Sequence, residues 1–226
     1  MCDIKDFRAL VKKDRLEAFK KYKLDFNSMD FDIFGNEDVK PYEVSIDWKF
    51  SQPNIIKMYK REGEKAKNIY YLPWKRRGVT SVTLDNDSPE FFVTSHFSGC
   101  RFTINYHDNE GKKVTVMHVA GDTEGGQKIE GTKERDQLEE GIEVDNTLKK
   151  RRLSIGDLKQ LGQKTRDYME AREIQFNTVY YQKEARLFGC RTEAGSWEFV
   201  VQNISNDGKL LEPFIMKHTD VFPSQQ

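Results

Sequence analysis

Short alternating runs, broken every few residues by turn chemistry, constrain this chain more than any other feature. Residues 43–50 (EVSIDWKF) place Val44, Ile46, Trp48 and Phe50 on one face, the pattern of a half-buried strand. Comparable runs follow at 68–72, 79–84, 90–97, 100–106 and 113–120, and again at 178–182, 184–191, 196–203 and 210–217. Turn signals at residues 86–89 (NDSP), Ser98-Gly99 and 108–111 (DNEG) separate them. Runs this close leave no room for the crossover helices of a doubly wound sheet. The expected class is α+β: a sandwich of mixed, largely antiparallel sheets with peripheral helices, in one domain over residues 1–226.

Two helices are expected. Residues 4–22 carry Ile4, Phe7, Leu10, Val11, Leu16 and Phe19 among charges at helical spacing, with a break near Asp14. A second, over residues 154–172, has Ser154 as cap and Asp157 as its capping-box acid. Between the strand-rich regions, residues 121–146 are hydrophilic and punctuated by five glycines, which reads as a polar excursion with little core of its own.

Charge then excludes several functions. With 37 Lys+Arg against 37 Asp+Glu there is no global field to draw in nucleic acid. The basic clusters Lys75-Arg76-Arg77 and Lys149-Lys150-Arg151-Arg152 are short enough to be solvated faces or helix ends. No stretch approaches the roughly 20 apolar residues of a membrane span, and the first twenty positions lack a signal-peptide core. Cys2, Cys100 and Cys190 cannot all pair and have no metal-ligand spacing. A reduced, soluble globular protein follows, its core supplied by 15 Phe, 9 Tyr and 3 Trp.

The chemistry concentrates in residues 94–122 (TSHFSGCRFTINYHDNEGKKVTVMHVAGD). The DNEG turn, with Gly111 suited to a left-handed conformation, makes residues 100–120 one β-hairpin. An odd loop centred on Asn109 sets Cys100 opposite His118, Phe102 opposite Val116 and Ile104 opposite Val114, all on one face. Opposed Cβ atoms lie about 4.5–5.5 Å apart, so the thiol and the imidazole come within reach. A histidine can take the thiol proton and return it to a leaving group, and Ser98-Gly99 can turn the backbone so that amides face an oxyanion. The competing reading is plain: Cys is among the most buried residue types, and a histidine on an apolar face is commonly a satisfied core residue.

The residues also raise a family. Leu72-Pro73-Trp74-Lys75, then Phe91-Phe92 and Thr94, then Ser98-Gly99-Cys100, then His118, resemble in order the landmarks of the glutamine-deamidase toxins that include Burkholderia lethal factor and the catalytic domain of cytotoxic necrotizing factor. The similarity covers roughly residues 70–122, and the Cys-to-His arm is longer here than in the lethal factor. It implies Cys100 as nucleophile, His118 as general acid/base, and Thr94 as the group that holds the imidazole, with Ser98 and Gly99 supplying backbone donors. His96 is a rival imidazole, and His107 and His218 are incidental. Trp74 either lines the pocket mouth or packs.

What the resemblance implies is a cysteine-dependent protein-glutamine deamidase, with no cofactor and no metal, acting as a monomer on an exposed glutamine of a host protein. For the lethal factor that protein is a helicase of translation initiation. It further implies a toxin or effector that is secreted, or delivered to a host cytosol without a classical signal peptide, and is otherwise cytoplasmic. A transglutaminase using the same Cys-His site and a non-catalytic binding domain remain the alternatives.

Overall fold

The computed structural model describes residues 4–25, 40–44, 46–52, 54–60, 67–121, 128–142, 144–155 and 174–220. In chain order the elements are α1 (Ile4–Lys13), α2 (Arg15–Lys21), β1 (Lys23–Asp25), β2 (Tyr42–Val44), β3 (Ile46–Gln52), β4 (Ile55–Lys60) and β5 (Ile69–Leu72). Then come β6 (Val79–Leu84), β7 (Phe91–Thr94), β8 (Arg101–Tyr106), β9 (Val114–Val119), α3 (Lys128–Glu140) and β10 (Lys149–Ile155). The chain continues through β11 (Gln175–Tyr181), β12 (Glu184–Arg191), β13 (Trp197–Ile204) and β14 (Phe214–Met216).

These strands form a six-stranded sheet in the order β14-β13-β12-β7-β5-β2, a five-stranded sheet β11-β10-β8-β9-β6, and a small sheet β1-β4-β3. Most neighbours are antiparallel, with parallel pairs at β5/β7, β10/β11 and β1/β4. The expected class, an α+β sandwich of mixed sheets with peripheral helices, is the observed one. Among the described residues no helix is long and apolar enough to cross a membrane.

Alternation puts an apolar set on each face of the six-stranded sheet. One set, with Leu72, Phe92, Leu187, Trp197, Phe199 and Val201, meets Phe102, Ile104, Val114, Val116 and Leu153 of the five-stranded sheet. The opposite set, with Ile69, Tyr71, Val93, Phe188 and Val200, packs on Phe7, Val11, Phe19 and Tyr22 of the helices and on Leu24, Ile56 and Met58 of the small sheet. The central sheet is therefore covered on both sides. Asp14 breaks the N-terminal helix as expected, accepting from Glu17 N at 3.0 Å to cap α2. Gln202 ties that corner to β13, donating to Phe19 O and Tyr22 O and accepting from Leu24 N.

Three expectations fail for identifiable reasons. The run 43–50 is two strands, since β2 pairs with β5 and β3 with β4 in different sheets, and alternation alone does not show where a chain changes sheets. Ser154 caps no helix: it lies in β10, paired with Tyr180, and residues 156–172 of the expected helix fall outside the described residues. The Lys149-to-Arg152 cluster is no solvated face either. It forms an interior strand between β11 and β8, with Lys150, Arg151 and Arg152 all buried.

Arg151 pairs with Asp220 and donates to Lys217 O, and within the polar excursion α3 explains the burial of Lys150 and Arg152. Glu139 is 1% exposed, and its carboxylate accepts from Lys150 Nζ (2.9 Å), Arg152 Nε (3.0 Å) and Arg101 Nη1 (3.1 Å). Asp136 pairs with Arg101 at 2.7 Å and Arg152 at 3.5 Å. Burial alone would push the Glu139 carboxyl up, but Arg152, Lys150 and Arg101 outweigh it and hold the group well below the usual carboxylate range. Charge thus fastens α3 to the outer face of the five-stranded sheet.

Removing one partner of a buried cluster strands the others, at a cost of about 3–5 kcal/mol, so Glu139→Gln should lower the urea midpoint accordingly. Because the folded-state pKa is depressed, the contribution is fully present above an unfolded glutamate's value near ~4.3 and is lost progressively as pH falls from there toward the much lower folded value. Urea melts of both proteins from about pH 7 to pH 3 should converge on acidification. Parallel curves would show that Glu139 does not anchor the helix electrostatically.

Candidate active site

The Leu-Pro-Trp-Lys segment begins at the last residue of β5, and its backbone frames the site. β5 and β7 run parallel with Leu72 beside Thr94. The Thr94 hydroxyl donates to Leu72 O at 2.7 Å. Thr80 donates to Pro73 O at 2.5 Å, and Trp74 N donates to Ser95 Oγ at 3.1 Å. Trp74 is half-buried and packs against the core between the two large sheets.

Across the sandwich, His118 projects from β9, opposite Phe102 of β8 and Thr80 of β6. Its Nδ1 lies 2.8 Å from Thr94 Oγ1. A threonine hydroxyl has one hydrogen, and here Leu72 O takes it, so Thr94 accepts and His118 Nδ1 donates. The neutral ring therefore presents its lone pair at Nε2, which is buried and has no hydrogen-bond partner among the described residues. Phe97 stacks on the imidazole with centroids 4.5 Å apart at 24°. Burial pushes the imidazole down to about 3, with the nearby His96 adding to the shift, so the ring is uncharged at neutral pH.

Cys100 enters from the edge of the same hairpin. Gly99 takes φ +117°, a value L side chains rarely adopt, and turns the chain into β8. Tyr181 of β11 clamps this turn: its hydroxyl accepts from Gly99 N at 2.8 Å and donates to Cys100 O at 2.7 Å. Burial, reinforced by Cys100, pushes the Tyr181 phenol far up, so it stays protonated and able to donate. On the other side Arg135 Nη2 donates to Gly99 O at 2.9 Å and to Gly121 O at 2.8 Å. Gly121 is required for this approach, since a Cβ there would lie 2.5 Å from Gly99 C.

The hairpin register corrects the expected pairing. The ladder sets Phe102, not Cys100, opposite His118, and Ile104 opposite Val116. The turn is the cause: Asp108 accepts from Glu110 N, Lys112 N and Lys113 N, and His107 N donates to Lys113 O, so the loop centres on Glu110 rather than Asn109. Parity survives a shift of two, and Cys100 still joins the inward apolar cluster that holds Phe102 and Phe97. It becomes the diagonal neighbour of His118, at a Cβ separation of about 7 Å. A thiol on one side and Nε2 on the other can span that gap.

Other sequence-derived candidates separate cleanly. Ser98 is exposed, and the Gly99 N–H is committed to Tyr181. His96 is half-buried beyond the end of β7 and bears on His118 through charge, whereas Thr94 holds the ring. His107 Nε2 pairs with Thr115 Oγ1 at 2.8 Å, away from the pair. Cys190 lies on the other face of the central sheet, where Arg15 Nε donates to its sulfur at 2.6 Å, and burial pushes its thiol up to about 11. Arg135 and Tyr181 were not legible as site residues, because neither stands near the hairpin in sequence. Among the described residues no three His, Cys, Asp or Glu side chains converge as metal ligands. Compared with protein-family models and with curated proteins, the chain matches none.

The tautomer is directly testable. Two-dimensional 15N NMR should show His118 as a neutral Nδ1–H imidazole throughout about pH 5 to 8. Thr94→Val should release that tautomer and cost about 1–3 kcal/mol for the donor left unpaired. An imidazolium signal near neutral pH would contradict the arrangement.

Proposed function

We propose that the protein is a cysteine-dependent protein-glutamine deamidase. The observation that carries this reading is the chain Leu72 O to Thr94 to His118 Nδ1, which leaves Nε2 as a buried acceptor on the face that Cys100 joins. The ordered Leu-Pro-Trp-Lys, Thr, Ser-Gly-Cys and His landmarks of the deamidase toxins support it as well.

In the reaction, His118 Nε2 takes the Cys100 proton and the thiolate attacks the carboxamide carbon of a glutamine side chain. The burial that disfavours an isolated imidazolium is offset once a thiolate stands beside it. As the tetrahedral intermediate collapses, His118 returns the proton to the departing ammonia and a thioester remains. Water, giving a proton to His118, adds to that thioester, and the thiol leaves glutamate behind. The substrate is an exposed glutamine on a host protein, a translation-initiation helicase being the candidate target, and the protein acts as an effector delivered to a host cytosol.

Eukaryotic lysate treated with wild-type protein or with Cys100→Ser should differ, by proteome-wide mass spectrometry, at glutamines converted to glutamate. His118→Gln should slow conversion by about 10²–10⁴-fold. Incorporation of a labelled primary amine in place of deamidation would make the enzyme a transglutaminase. Identical lysates, together with a Cys100 that alkylates no faster than a free thiol, would make it a binding domain.

A further inference from the structure

Buried charges in proteins are paired, and α3 carries one with no ionic partner among the described residues. Arg135 is 6% exposed, yet among the described residues no carboxylate lies within ion-pair distance of it. The neighbouring acids are spent elsewhere, Asp136 on Arg101 and Arg152, Glu139 on Arg101, Lys150 and Arg152. Instead, one guanidinium nitrogen holds Gly99 O and Gly121 O, the first being the carbonyl of the peptide bond that leads into Cys100. Gly121 lets these two stretches of backbone come this close, since a Cβ there would meet Gly99 C, Gly99 O and Cys100 N.

We propose that Arg135 is a positioning residue whose missing counter-ion is the Cys100 thiolate. This rests on reading Cys100 as the nucleophile. The guanidinium fixes the Gly99-Cys100 peptide and pulls its electron density toward the carbonyl oxygen, leaving the cysteine end of that peptide more positive. Both effects favour sulfur as the anion. Burial and the adjacent Arg101 pull the Arg135 guanidinium down from its ordinary value, while Cys100 pulls it the other way. The other charged or titratable groups around this turn are Glu134 on α3, Arg101 on β8, Tyr181 on β11, and His118 on β9 with its neighbour His96. With His118 a reluctant proton acceptor when alone, a cation fixed on the peptide that leads into Cys100 has a clear use.

The test follows carbamidomethylation of Cys100 by iodoacetamide against pH, read on its own peptide by mass spectrometry so that Cys2 and Cys190 do not interfere. No substrate is present, so a failed search for deamidated glutamines and a failed prediction here are separate results. Arg135→Gln should raise the midpoint by about one pH unit, roughly a tenfold slower reaction below the midpoint. Arg135→Lys, which keeps the charge, should stay within about 0.3 unit of wild type. Asp136→Asn, which weakens the same helix but leaves the guanidinium in place, should leave the midpoint where it was. An unmoved Arg135→Gln profile overturns the proposal, as does an equal shift in Asp136→Asn, which would mark simple undocking of α3. If Arg135→Gln does not fold by circular dichroism, the neutral Arg135→Met is read in its place: a midpoint raised by about one unit supports the charge role, and an unmoved one overturns it.

Discussion

Pressing two sheets together favours pairing of the polar atoms caught between them, and the Thr94-His118 hydrogen bond does this for the hydroxyl and for Nδ1, leaving Nε2 as the ring atom without a partner among the described residues. Thr94 belongs to the central sheet and His118 to the five-stranded one, so a single 2.8 Å contact bridges the layers. Around it the interface is aromatic and apolar: Phe97 on the imidazole, Phe102 beyond it, Phe92 and Phe199 deeper in. That dry surrounding keeps the ring neutral. It also holds the ring in one orientation, since Thr94 is itself pinned to the backbone of β5. Packing and acid-base character are here the same fact.

The remaining polar contacts lie in shells around the cysteine turn. Tyr181 spans the turn from within the sandwich, and Arg135 holds it from the outer face. Behind Arg135 the carboxylates of α3 are locked to Arg101, the residue next after Cys100, and to β10. The charged cluster and the cysteine turn are therefore successive links of one structure. A helix that contributes almost no apolar surface is nonetheless connected to the backbone on which the thiol stands.

Strand-forming residues were legible because alternation is a local property. The boundaries of β6 and β12 can be read directly from 79–84 and 184–191. The hairpin's faces were legible too, because any loop of odd length assigns Cys100, Phe102, Ile104, Val116 and His118 to one side. Its pairing was not, since the carboxylate of Asp108 sets the loop centre, and a side-chain cap inside a turn leaves no periodic trace. The cluster Lys149 to Arg152 misled for a related reason. Four consecutive cations mean solvent only when no acids come to meet them, and Asp136 and Glu139 reach β10 from a segment with no apolar stripe of its own. Thr94, Cys100 and His118 were proposed from their order along the chain, whereas the contacts of Arg135 and Tyr181 with the cysteine turn required three dimensions.

Gly121 illustrates how such a site limits its own sequence. It supplies one carbonyl to Arg135 and otherwise contributes only empty volume against the Gly99-Cys100 peptide. In a saturation survey of every position it would tolerate substitution poorly although it carries no reactive group. Its importance is that of a clearance: the smallest residue marks where two backbones must nearly touch.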